Sequence, residues 1–234
     1  MLTKKIPETN EDRLIILQAI IEQEKVCLNE DKVLSEVEFQ ELINLTGIFD
    51  AANTNYNQVV TDRNKAITSY NELFKNAKLY VSHFIQVLLL TVIRNEIKPE
   101  NLLLYGFPVN NPVIPDLSTE KNVLHWGEKL MQGESERIYK GGIPLYNPAI
   151  AKVKVHYELF KESIHSLTIY EKNLLRLQNN MDTTCKNADE LIKSIWKKVE
   201  EKFRYYATDA QISKLRAYKI QFLYRKGVQL NVFE

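Results

Sequence analysis

Two long apolar stripes leave this chain few folds to choose from. Read in alternating steps of three and four, the first runs Leu42, Leu45, Phe49, Ala52, Tyr56, Val59, Arg63, Ala66, Tyr70, Leu73, Ala77, Tyr80, Phe84, Val87 and Thr91. The second runs Ile150, Val153, Tyr157, Phe160, Ile164, Leu167, Glu171, Leu174, Gln178, Met181, Cys185, Ala188, Ile192, Ile195 and Val199. Only Arg63, Thr91, Glu171 and Gln178 are polar. A repeat averaging about 3.5 residues keeps one side of a helix against a neighbour along its whole length. The spacing therefore predicts two helices at about residues 35–97 and 148–206, each of roughly 60 residues and so about 90 Å if unbroken.

The punctuation of the chain agrees. Seven Gly and seven Pro occur, most of them within 99–148, so the flanking stretches lack the residues that break helices. Ser35 and Glu38 form a capping box ahead of the first long helix, Gly47 is a candidate bend, and Pro99 marks the end. Asn147 followed by Pro148 reads as the cap and first turn of the second long helix. Shorter helices are expected after Thr9 or Asn10, over 119–139 behind Asp116 or Ser118 and ended by Gly141 and Gly142, and after Thr208 with Gln211. Residues 99–117 read as an ordered loop, since Leu102, Leu103, Leu104, Tyr105, Phe107 and Ile114 call for burial. In the tail, Ile220, Phe222 and Tyr224 alternate, as do Val228, Leu230 and Val232 beyond Lys226-Gly227. That pattern reads equally as a small β-hairpin or as an irregular tail packed on the helices.

The expected fold class is all-α. The stripes match in length, and the connection over 98–147 returns the chain to where the first helix stops. The expectation is a single elongated helical domain over 1–234: a bundle around two long antiparallel coiled-coil-like helices, with shorter helices at the ends. In that register Phe49 lies level with Ile195 and Arg63 with Met181. Residues 8–41 hold ten acidic and three basic side chains, and residues 186–226 hold eleven basic and five acidic. The pairing sets these stretches side by side, and complementary patches favour one register. The basic stretch thus answers an acidic one within the chain, and a formal net charge of +1 gives no pull toward nucleic acid. Around 63–70 and 171–178 only two helices would meet, a waist that a second copy would cover in a homodimer.

Patterns that carry chemistry are few. Cys27 and Cys185 have no metal-ligand or redox spacing and read as reduced thiols. No basic segment followed by an apolar one opens the chain, and the most apolar run, 81–93, is shorter than a bilayer span. A cytoplasmic location and no membrane contact are therefore expected. Asn44-Leu45-Thr46 matches a glycosylation acceptor but falls inside a helix. Glu162 and His165 have the spacing used in di-metal bundles. None of His83, His125 and His156 repeats it, and Ile164 claims the seam and turns His165 outward. No metal or cofactor is expected. Phosphate-loop, dinucleotide, nucleophile-elbow and zinc-protease motifs do not occur. A binding site, if the chain has one, is expected where the loops converge, with His83, Tyr105, His125, Trp126, Arg137 and Tyr146 around a small pocket. The plainer reading has Tyr105, Trp126 and Tyr146 close the end of the core.

Three stretches resemble an uncharacterised family of all-helical bacterial proteins: AKLYVSHFIQVLLLTVIRNE at 77–96, the segment 115–142 with Trp126-Gly127 and Gly133-Glu134, and PLYNPAIAKVKVHYELF at 144–160. With the tail, the resemblance covers most of the chain. It implies a helical fold and carries no activity, ligand or partner. The functional expectation is a non-enzymatic structural or protein-interaction protein. The alternative is a small-molecule binding protein or unfamiliar enzyme with a pocket at the loop-bearing end.

Overall fold

The computed structural model describes residues 3–223. Among these, the chain is all-α apart from one short strand pair. The helices are α1 (Asn10–Val26), α2 (Glu36–Ile93), a 3₁₀ helix (Pro99–Tyr105), α3 (Glu120–Tyr139), α4 (Ile150–Lys202) and α5 (Thr208–Ala217). Strand β1 (Thr3–Lys4) pairs antiparallel with β2 (Phe222–Leu223). Of the tail hairpin expected over 220–232, the stretch up to Leu223 is described and forms β2 against β1; the rest lies outside the described residues. The chain divides into a first unit, Met1–Val59 with Asn173–Glu234, and a second unit, Val60–Lys172. Helices α2 and α4 contribute to both.

Local chemistry sets most helix ends. Thr9 Oγ1 accepts the Asp12 amide at 3.0 Å while the Asp12 carboxylate accepts the Thr9 amide at 3.4 Å, so two orphan donors of α1 are satisfied. Ser35 and Glu38 repeat the device ahead of α2 at 3.4 and 3.0 Å. Helix α2 then continues for 58 residues, straight through Gly47. It stops at Ile93, ahead of Pro99, because Asn95 takes a left-handed φ of 59°. The Asn95 and Glu96 amides turn back to the Val92 and Thr91 carbonyls at 3.0 Å each, a Schellman ending.

Four expectations at chain turns are corrected. Thr119, not Asp116 or Ser118, caps α3, its Oγ1 accepting the Asn122 amide at 3.2 Å; the Asp116 carboxylate is engaged by Ser118 instead. Asn147 does not cap α4. A cis Asn147–Pro148 bond lies in a turn closed by a Tyr146–Ala149 bridge, and α4 starts at Ile150. Thr208 is the first residue of α5, and Ala207 caps it without a side-chain bond. Leu103 and Ile114 are 62% and 46% exposed. The 3₁₀ helix turns only one face inward, and Leu102 and Tyr105 occupy it.

Each unit has its own core. In the first, Leu17, Ile20, Leu42, Phe49, Ile192 and Trp196 pack together from α1, α2 and α4. In the second, Val81, Phe84, Leu102, Val123, Leu130 and Phe160 do so. No residue of α2 within 50–76, nor of α4 within 161–176, is fully buried. In the second unit Arg63 meets Glu171 at 2.5 Å, the Phe74 ring lies 5.2 Å from Phe160, and Tyr80 stacks on His156 at 4.0 Å. Arg63 is therefore opposite Glu171, not Met181. The expected register takes α2 to about 97 and starts α4 at 148, whereas α2 stops at Ile93 and α4 starts at Ile150.

Opposite charges meet in the first unit. Lys198 bonds Glu38, Lys214 bonds Asp31 at 2.7 Å, and Lys202 reaches the Lys32 carbonyl. Lys4–Glu200 and Arg13–Asp189 pair in the reverse sense at 2.7 and 2.8 Å. The half-exposed lysine pairs add little energy and discriminate between registers, while Arg13 and Asp189 form a bidentate, largely buried pair. Helix α2 also holds an 18-residue window of mean hydropathy 1.4, long and apolar enough to cross a membrane, with 39% of that window buried inside the protein.

Candidate functional site

A cavity of about 1060 Å³ opens in the second unit. One wall is α2, through His83, Val87, Leu90 and Thr91, with Arg94 just past its end; the other is the segment that follows α3, from Lys140 to Asn147. Glu96, Ile97, Lys98, Asn101 and Arg137 complete the lining, and no residue of α4 takes part.

The segment wall is held from behind by a buried charge network on α3. Val123, Gly127, Leu130, Glu134 and Arg137 follow one another in steps of four and three, so all face the core, and all are buried. The last two are charged, with side chains 0% and 5% exposed. Arg137 Nη2 donates to Glu134 Oε1 at 2.8 Å and to the Ile143 carbonyl at 2.8 Å. Glu134 Oε1 also accepts the Leu145 amide at 2.9 Å. The Tyr105 hydroxyl donates to Glu134 Oε2 and accepts from Arg137 Nε at 2.8 Å. A buried ion pair is tolerable only when its remaining donors and acceptors are filled in this way. Burial, then the bond to Glu134, pushes the Tyr105 phenol well above its ordinary range. Burial pulls the Arg137 guanidinium down, but its bonds to Tyr105 and Glu134 outweigh this and hold it above its usual value.

Two glycines make the geometry reachable. At Gly133 a Cβ would stand 2.6 Å from the Tyr105 ring, so only glycine lets the phenol lie against α3. Gly141 has φ +88°. Its amide and that of Gly142 bond the Ile138 and Arg137 carbonyls at 2.9 Å each, which ends α3 and starts the wall.

Of the six residues expected around a pocket, His83, Arg137 and Tyr146 line the cavity. Tyr105 stands behind it, in the buried network. His125 and Trp126 lie outside the lining: Trp126 stacks on Phe107 at 4.7 Å and meets the His125 ring edge-on at 5.5 Å. The core-closing reading suits Tyr105, which is fully buried, but not Tyr146, which is 83% exposed. Sequence reasoning missed Glu134, Arg94, Lys98, Lys140 and Ile143. The α3 spacing was a signal for Glu134; the others come together only through the fold.

The cavity is basic and apolar. Arg94 reaches Glu96 at 3.2 Å, while Lys98 and Lys140 have no carboxylate at ion-pair distance among the described residues. Leu90, Ile143 and Tyr146 are 53%, 77% and 83% exposed. Glu162 and His165 are both exposed, and among the described residues no three His, Cys, Asp or Glu side chains gather as metal ligands. No protein-family model, curated protein or solved structure matches this chain.

Proposed function

We propose that this is a non-enzymatic helical interaction protein whose second unit receives a segment of a partner protein in the groove between α2 and the 140–147 wall. One observation carries the reading: Lys98 and Lys140, with no carboxylate at ion-pair distance among the described residues, line the same groove as three large, exposed apolar side chains, and one wall of that groove is braced by a buried ion pair. Apolar surface left open beside unpaired cations suits a macromolecular contact. A braced wall loses little freedom on binding. The frame in this reading is an antiparallel, coiled-coil-like pairing of α2 and α4, supported by contacts that descend α4 as they ascend α2. Cytoplasmic location and kinship with the uncharacterised bacterial helical family belong to the same proposal; kinship rests on the three stretches that carry the resemblance.

The test is a photo-crosslinking amino acid placed at Tyr146, with Ile169, 54% exposed in the same unit, as the control position. Cells of the native host should give one discrete protein adduct from position 146 and none from 169. The adduct should disappear in Lys98→Glu/Lys140→Glu. Equal labelling from both positions, or recovery of a small molecule from the groove in place of a protein, would overturn the reading.

A further inference from the structure

We infer that the groove's occupant is an acidic amphipathic helix of about three turns, supplied by the partner protein; the inference rests on the interaction reading above. Three observations converge on it.

The first is spacing. On the α2 wall His83, Val87, Leu90 and Arg94 recur in steps of four, three and four, the spacing by which one helix presents a ridge to another. From His83 to Arg94 this ridge runs about 16 Å, the length of roughly three helical turns.

The second is vacancy of a helical berth. Lower on α2, Tyr80 already stacks on His156 at 4.0 Å, one and a half turns or so into α4 at about 3.6 residues per turn. Helix α4 begins at Ile150, so the Val87-to-Arg94 ridge continues the line of the seam beyond the point where its partner helix starts. The 140–147 segment stands off as the far wall instead of filling the line.

The third is chemistry. Val87, Leu90 and Ile143 offer apolar contact. Lys98 and Lys140 supply unopposed positive charge, and the one acid in the lining, Glu96, is held by Arg94 at 3.2 Å. A helix with leucine-like residues on one face and carboxylates flanking it matches both features, in the manner of helix-in-groove recognition. A flat anionic bilayer shares the charge but not the concave, ridge-spaced wall.

The experiment titrates the full chain with three labelled peptides of equal length, read by fluorescence anisotropy. One carries Leu at i, i+3, i+4 and i+7 with Glu elsewhere; one has Lys in place of Glu; one is a scramble of the first. The Leu–Glu peptide should bind one to one, about tenfold or more tighter than the other two, and weaken with salt. Lys98→Glu/Lys140→Glu should lose about tenfold for the Leu–Glu peptide and gain for the Leu–Lys peptide. Ile143→Asp, on the same wall, should weaken the Leu–Glu peptide without that reversal. Circular dichroism and tryptophan emission monitor folding of each variant. Equal affinity for the scramble, indifference to both variants, or binding confined to phosphatidylserine vesicles would overturn the inference. If no peptide binds while position 146 still captures a single protein, the helical occupant falls and the interaction reading stands. If both fail, both fall.

Discussion

Each unit uses a buried glutamate near the end of a short helix to hold the loop that follows, and the two differ in what completes the site. In the first unit Glu24, 3% exposed, accepts the Val33 and Leu34 amides at 3.1 and 3.2 Å and the Tyr218 hydroxyl at 2.6 Å. Its donors are neutral. In the second unit Glu134 accepts one loop amide, a tyrosine and the guanidinium of Arg137. The difference follows from the loops. Residues 27–35 return directly and deliver two consecutive amides to Glu24. The segment after α3 stands away to wall the groove and delivers only the Leu145 amide, so a cation fills the remaining acceptor capacity and also ties down the Ile143 carbonyl. A loop that only joins two helices is closed by neutral donors; a loop that must stand open as a wall is braced by an ion pair.

The sharpest way to break this contrast is to remove the cation. Arg137→Leu strands a buried carboxylate and should cost ~3–5 kcal/mol, whereas Glu24→Gln weakens bonds to neutral donors and should cost ~1–3 kcal/mol. Urea unfolding followed by circular dichroism measures both, and equal losses would remove the asymmetry. Glycines give the next contrast. Gly133→Ala forces a Cβ to 2.6 Å from the Tyr105 ring and should destabilise by ~1–3 kcal/mol through overpacking. Gly47→Ala in the first unit meets nothing within 4 Å and should stabilise by ~0.5–1 kcal/mol, since alanine fits a helix interior better.

The smallest effects lie at opposite ends of the pH scale. Bonds from Lys198, then from the Ser35 amide and hydroxyl, hold Glu38 at about 2 against an ordinary 4.5. A depressed carboxylate stabilises fully above its unfolded value and loses that contribution as pH falls. The first unit should therefore weaken between about 4.5 and 2, and Lys198→Met should flatten that limb of a stability–pH curve. In the second unit burial, then Glu120, raises Tyr70 to about 12 from 10.0. A raised group stabilises fully below its unfolded value, so this contribution is lost as pH climbs from 10.0 toward 12. Tyr70→Phe should remove it, with tyrosinate absorbance reporting the titration.

Much of the fold was legible before any coordinates. The two long helices followed from their stripes, the starts of α1 and α2 from Thr9 and Ser35, and the Glu38–Lys198 attraction from the charge of the segments. Half of the expected pocket residues line the groove. Trp126 and His125 do not, because an aromatic near a loop signals burial without saying beside what. Glu134 continues the α3 core stripe, but a charged side chain at core spacing reads as surface until its partners are known.

The amino-acid order alone determined which stretches are helical and which face of each is apolar, because both depend on neighbours within a turn or two. Register was left to the tertiary structure, because a repeating apolar stripe tolerates a slide by whole repeats at little cost. Asn95 ended α2 early, and the segment beyond it packed under the last turns. Arg63 stands opposite Glu171 in the resulting register. The packing after α2 left the final ridge of α2 facing a braced wall instead of α4, and so produced the groove.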